Sequence, residues 1–111
     1  MTKIEWASAA FRQLEALPAP LAFAVVERVD LLASFPDMGA PVASKSRVLA
    51  RCRQLIVSRT YRVIYEIEGE DLDRVVYVLA VQRCRQRLPS ARELKRRRVV
   101  DEASASDDPE L

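Results

Sequence analysis

The 111-residue chain contains no histidine, only two glycines, two cysteines and one tryptophan. Each shortage narrows the chemistry. Without histidine the chain loses the side chain that most often moves protons near neutral pH. With two cysteines and no histidine it also lacks an ordinary zinc ligand set. We therefore expect no metal and no cofactor. Cys52 and Cys84 fall at the start of one predicted strand and the end of another. They could pair if those ends met, but the chain shows no export signal, and free thiols are the expectation. No apolar run reaches the ~18–20 residues that a membrane-spanning helix needs. The N-terminus has one lysine and then Glu5, with no apolar signal-peptide core, so the expected location is the cytoplasm.

Half of the residues are apolar and the formal net charge is +2. A chain of this size buries roughly 65% of its unfolded surface and forms one domain without a metal or disulfide staple. The small net charge hides an uneven distribution. Residues 1–50 carry five basic and five acidic side chains, residues 51–100 thirteen and six, and residues 101–111 none and five. We expect a folded domain over residues 1–99 whose later part is cationic and suited to an acidic partner. Residues 100–111 form an acidic tail that composition predicts to be disordered.

Thr2 to Trp6 reads as a short extended start. Ala7, Ala10, Phe11, Leu14 and Leu17 then recur at helical spacing, and Pro18-Ala19-Pro20 ends that helix. Pro20 suits the first turn of a second helix, predicted from about residue 20 to residue 34. Its apolar stripe is Leu21, Val25, Val29 and Leu32, widened by Val26 and Leu31. So short a connection makes the two helices an antiparallel hairpin. Residues 35–41 are a turn-rich linker containing Pro36, Gly39 and Pro41.

The centre of the chain is residues 53–85. Leu55-Ile56-Val57, Tyr61 to Ile67 and Val75 to Val81 are rich in β-branched and aromatic residues, separated by Ser58-Arg59-Thr60 and Glu68-Gly69-Glu70-Asp71. These are three antiparallel strands joined by short turns. Alternation puts Tyr61, Val63, Tyr65 and Ile67 on one face, the better one for packing under the helices. Ser90 and Glu93 form a capping box that opens a last helix. The expected fold is α+β: an antiparallel sheet of about four strands, the helix hairpin on one face, and a short C-terminal helix.

Several of these pieces together resemble the RelE/ParE family of bacterial toxin–antitoxin toxins. Pro36-Asp37-Met38-Gly39 is similar to its P-x-x-G linker, Arg53 with Leu55 and Val57 to its R-x-L-x-V strand, and Tyr61 to Tyr65 to its Y-R-V-I-Y motif. Val78-Leu79-Ala80-Val81 with the following arginines resembles its last strand and cationic end. The resemblance covers about residues 3–90. It implies a growth-inhibiting toxin neutralised by a cognate antitoxin, with DNA contacted only through the antitoxin and no membrane partner. The ribonuclease branch carries lysines on the strand matching 53–57 and a tyrosine just beyond the last strand, and many relatives carry a histidine shortly after that strand. Here those places hold Arg53 without lysine, Gln82 or Arg83, and Leu88-Pro89. The resemblance therefore favours the ParE branch, which blocks DNA gyrase, with ribosome-dependent mRNA cleavage as the alternative.

Cleavage by a 2′-hydroxyl needs a proton acceptor, a proton donor and cations for the transition state. Arg53, Arg62, Arg83 and Arg85 could supply the charge, for contact with the target or for catalysis. Arginine stays protonated and is a poor base, so binding is the leading reading. By the resemblance, Leu14, Leu17 and Val25 on the hairpin, with Arg62 and Arg85, would meet the antitoxin. Plainer readings exist beside these: Arg62 pairing with Glu66 or Glu68, Trp6 and Phe11 in the core, Tyr61, Tyr65 and Tyr77 at core or rim, and Lys95 to Arg98 as a solvated surface.

Overall fold

The computed structural model describes residues 2–97. The expectations for Arg98, Val99 and the acidic tail lie outside those residues. Strand β1 (Lys3–Trp6) is followed by helices α1 (Ser8–Glu15) and α2 (Ala19–Asp30), then by a 3₁₀ turn at Leu31–Ala33. Strand β2 (Ala40–Pro41) and the one-turn helix α3 (Arg47–Ala50) lead into β3 (Cys52–Val57), β4 (Tyr61–Glu68) and β5 (Val75–Arg83). Residues 91–97 are helical.

The sheet has five strands in the order β1-β5-β4-β3-β2. The expected meander is β3-β4-β5, the expected extended start joins one edge of the sheet as β1, and the short β2 at the other edge adds to the four or so strands anticipated. β1 runs parallel to β5, with Lys3 opposite Val75 and Trp6 opposite Val78. β2 is only two residues long and pairs antiparallel with Arg53 and Gln54. On β5, Ala80 pairs with Ile64 and Val78 with Tyr65, so Leu79 is an extra, bulged residue.

The bulge has a local consequence. β1 ends at Trp6, and among the described residues no strand pairs with the outer edge of β5 beyond it. Side chains close that edge. The Val81 amide donates to Gln13 Oε1 at 2.8 Å, and Arg97 donates to the Leu79 carbonyl at 2.7 Å. Burial pulls the Arg97 guanidinium below its ordinary pKa, nearby Glu93 raises it, and Arg12 lowers it further. Arg97 therefore departs from the solvated run expected at Lys95 to Arg98, while Lys95 and Arg96 are exposed as expected.

The hairpin forms as its spacing predicts. Pro18 and Pro20 start α2, where their missing amide donors are not needed. Val25, Val29 and Leu32 of the α2 stripe are fully buried, and Val63, Tyr65, Val76 and Val78 are buried in the sheet. Val26 and Leu31, expected to widen the stripe, are exposed. Phe11, expected in the core, is 47% exposed and makes a T-shaped contact with Trp6, with ring centroids 6.3 Å apart. On the opposite face of the sheet, Leu94 of the C-terminal helix is buried to 1% exposure. Ser90 Oγ accepts from the Glu93 amide at 3.1 Å, the predicted cap.

Candidate functional site

The arginines expected to act together divide into three groups. The first is a latch. Arg53 projects from β3 beside Tyr65, its cross-strand partner on β4. Its Nε donates to the Gly39 carbonyl at 2.9 Å and a terminal nitrogen donates to the Asp37 carbonyl at 3.1 Å. The Tyr65 hydroxyl donates to the Pro36 carbonyl at 2.7 Å and accepts from the Gly39 amide at 2.9 Å. Gly39 is glycine for want of room: a Cβ there would lie 2.6 Å from the Gln54 carbonyl oxygen and 2.8 Å from the Tyr65 hydroxyl. Three of the four short motifs that carry the family resemblance thus meet in one hydrogen-bonded cluster. It ties the linker to the sheet, and Arg53 serves there as a structural side chain.

The second group is a strap on the other face. Arg62 donates to the Gln86 carbonyl at 2.7 Å and, more weakly, to Gln54 Oε1 at 3.5 Å. Gln82, buried at 5% exposure, donates to the carbonyls of Gln86 and Arg87. Together they draw the chain after β5 back across the sheet, where Leu88 packs against the core. Arg62 Nε is buried with no hydrogen-bond partner. Arg62 therefore holds backbone, and the expected pairing with Glu66 or Glu68 gives way to carbonyls of the returning chain.

The third group faces water. Arg59, Thr60, Tyr61, Arg83, Cys84 and Arg85 surround a cleft of about 620 Å³ floored by Pro18 and Leu21 at the start of α2. The β3–β4 turn builds one wall. Ser58 and Arg59 adopt φ of 51° and 65°, left-handed values that non-glycine residues seldom take. The Thr60 carbonyl accepts from the Cys84 amide at 2.8 Å and joins that turn to the end of β5. Arg83 lies 5.7 Å from the Tyr61 ring centroid, and its Nε donates to the Tyr61 hydroxyl at 3.2 Å. The lining contains three guanidinium groups and no carboxylate, lysine or histidine. Such a cleft attracts anions and offers an apolar floor. Arg59 was not singled out in the sequence. Its signal was a cation in a three-residue connection, Ser58-Arg59-Thr60, beside a strand that ends in arginines.

Cys52 and Cys84 are both free thiols, Cys52 buried and Cys84 partly exposed. Of the hairpin residues expected at a partner interface, Leu14 is 7% and Val25 0% exposed, so both face the core. Leu17 is partly buried and packs against the same core. The apolar side chains that the hairpin does present to solvent are Phe11, Phe23, Val26 and Leu31. A groove lined by Ala24, Glu27, Arg28, Leu31, Val57 and Ser58 runs between α2 and the end of β3.

The hairpin packed on a five-stranded sheet defines a small α+β domain of the RelE/ParE architecture. The family model for the ParE toxin of the type II toxin–antitoxin system, parDE, matches residues 4–88, and the chain belongs to that family. Three solved structures share the fold. The RelBE2 toxin–antitoxin complex of Mycobacterium tuberculosis is 28% identical with a TM-score of 0.62, covering 74% of this chain and 96% of the other. A YoeB/ParE toxin from Agrobacterium tumefaciens is 13% identical with a TM-score of 0.62, covering 74% and 98%. Free Escherichia coli RelE, as a double arginine-to-alanine variant, is 19% identical with a TM-score of 0.58, covering 90% and 96%. No curated protein sequence matches significantly. Among the described residues no helix is long and apolar enough to cross a membrane.

Proposed function

We propose that this chain inhibits growth in the cytoplasm by binding an essential target, DNA gyrase, through the Arg59–Arg83–Arg85 cleft, and that a cognate antitoxin neutralises it. The observation that carries this reading is the division of labour among the arginines. Arg53 and Arg62 are committed to backbone carbonyls. Arg83 and Arg85, with Arg59, remain at a solvent-facing cleft without a carboxylate or lysine in its lining. Fixed cations around an apolar floor recognise acidic surface, and nothing in that set takes up a proton at neutral pH as readily as histidine does. The match to the ParE family model supports the gyrase branch.

The antitoxin half of the proposal draws support from the RelBE2 neighbour, which is a toxin–antitoxin complex. On this chain the hairpin exposes Phe11, Phe23 and Leu31. Beside them, β2 pairs with only Arg53 and Gln54, which leaves the outer side of Leu55–Val57 without a strand among the described residues. An extended or helical segment from the antitoxin would find an apolar groove and an open strand edge side by side. Its acidic side chains would reach Arg85.

The alternative, ribosome-dependent mRNA cleavage of the RelE type, rests on one observation: a thiol and a phenol, Cys84 and Tyr61, share the cleft with the three arginines. Two assays on the purified chain separate the readings. Gyrase supercoiling should be inhibited while mRNA in a translating extract stays intact. Cut mRNA with normal supercoiling would replace the first mechanism by the second, and no effect in either assay would remove both.

A further inference from the structure

We infer that a second copy of this chain docks in the cationic cleft, entering it with its own β4–β5 turn. That turn is an exposed acidic knob with an apolar centre. Residues 68–73 hold four acids and no cation, and Gly69 to Asp73 are all exposed. Leu72, in the middle of the short 3₁₀ turn Asp71–Asp73, has 92% of its surface in solvent. The knob is held in shape. Gly69 and Asp71 take φ of 82° and 52°. The Asp73 amide donates to the Glu70 carbonyl at 3.0 Å, and the Arg74 amide donates to the Asp71 carbonyl at 3.4 Å. Glu70, Asp71 and Asp73 enter no ion pair among the described residues. Arg74, the nearest cation in sequence, is paired with Asp37.

The cleft complements this knob twice over. Arg59, Arg83 and Arg85 line it with no acid, and Pro18, Leu21 and the Tyr61 ring give it an apolar floor. Carboxylates flanking a leucine thus match arginines flanking an apolar surface. At about 620 Å³ the cleft has room for one leucine side chain and its neighbours. The knob cannot fill the cleft of its own chain. Tyr61 pairs with Arg83 at the cleft end of the β4–β5 hairpin, and Glu68 pairs with Val75 at the turn end. The steps from residue 61 to residue 68 span roughly 24 Å of strand. The knob and the cleft are different patches at opposite ends of one hairpin, so the contact is heterologous and copies add end to end. One turn in one cleft buries less than the ~1,200 Å² of a stable complex, and the association is therefore weak. A filled cleft is closed to any other partner. That consequence rests on the target reading given above, but the association itself does not.

The test needs neither target nor antitoxin. Sedimentation equilibrium of the full chain reads its average mass. At about 20 mM salt, where charges act over ~20 Å, the mass should rise from about 10 to 500 μM protein without levelling off at two chains. At about 500 mM salt, with a screening length near 4 Å, it should fall toward that of one chain. Two variants each remove one half of the contact. The knob variant carries Leu72→Ser, Asp71→Asn and Asp73→Asn, and asparagine tolerates the left-handed φ at position 71. The cleft variant carries Arg59→Gln and Arg85→Gln. All these side chains are exposed, so both variants should keep the wild-type unfolding midpoint. Each alone should remain a single chain. An equal mixture should form pairs, because the cleft of the first still accepts the knob of the second. A wild-type mass of one chain throughout at low salt overturns the proposal, as does one that stops at two. A mixture that stays unassociated also overturns it. So does association that survives in either variant alone, because the copies then meet elsewhere, for example through Phe23 and Leu31.

Discussion

Replacing Tyr65 by phenylalanine deletes one oxygen and leaves the packing of a fully buried ring unchanged. That oxygen makes two hydrogen bonds, accepting from the Gly39 amide at 2.9 Å and donating to the Pro36 carbonyl at 2.7 Å. Gly39 is buried, so water does not readily replace the lost acceptor. A buried donor left unpaired costs ~1–3 kcal/mol, and the more accessible carbonyl adds a smaller amount. The expected loss is about 2–3 kcal/mol, a large part of the ~5–15 kcal/mol typical of a domain. For a domain near this size that lowers Tm by roughly 10–20 °C. Urea denaturation followed by circular dichroism measures it. Tyr61→Phe is the matched control, because its hydroxyl bonds Arg83 at the rim and its loss should cost under about 0.5 kcal/mol. A cycle with Arg53→Met should show coupling of about 0.5–3 kcal/mol, since both side chains hold the same linker. If Tyr65→Phe were no less stable than Tyr61→Phe, the latch would not be what fixes the linker. The reading of the P-x-x-G, R-x-L-x-V and Y-R-V-I-Y motifs as one structural device would then fail.

Gly39→Ala should destabilise by about 1–3 kcal/mol through overpacking against the Gln54 carbonyl, read from the denaturation midpoint. Arg85→Ala should leave stability within about 0.5 kcal/mol and relieve growth inhibition in an expression assay. Arg62→Ala should also relieve inhibition, but with a stability loss of about 1.5–3 kcal/mol because its carbonyl contacts hold the strap. Equal stability of these two variants would refute the division of the arginines. Gln13→Ala should cost ~1–2 kcal/mol and speed hydrogen exchange at the Val81 amide that it caps. Ser58→Gly should raise stability by up to about 1 kcal/mol by relieving a left-handed φ.

What the sequence made legible were patterns with a period. The i, i+4 spacing of Val25 and Val29 marked the buried face of α2, and alternation along Tyr61 to Ile67 marked the face of β4 under the helices. Pro18 and Pro20 marked a helix start because proline's fixed geometry acts locally. Periodicity says which face is inside but not what lies across from it. β1 finds its partner some seventy residues away, and β2 is too short to show any alternation. Phe11 is as apolar as Leu14, yet the folded domain buries Leu14 and leaves Phe11 at the surface. Leu14 and Val25 were expected at an interface because an apolar stripe is the same whether the sheet or a partner covers it. The arginines failed to sort for a related reason: identical side chains hold a linker at Arg53, a returning chain at Arg62 and an open cleft at Arg83. Only three-dimensional neighbours distinguish those roles.

The pairing of Lys3–Trp6 with Val75–Val78 sets an order of events during synthesis. The first strand to leave the ribosome adds to the last strand to be made. At ~5–20 residues per second the intervening seventy residues take roughly 4–15 s. Throughout that interval the nascent hairpin has no β5 to cover, so its apolar stripe stays open to any chain nearby. The arginines at the end of β5 are among the last residues to emerge, and the cleft they line cannot assemble before the domain closes. In this order of synthesis the apolar surface of the hairpin exists before the sheet that covers it, and the cleft is completed only when β5 has joined the sheet.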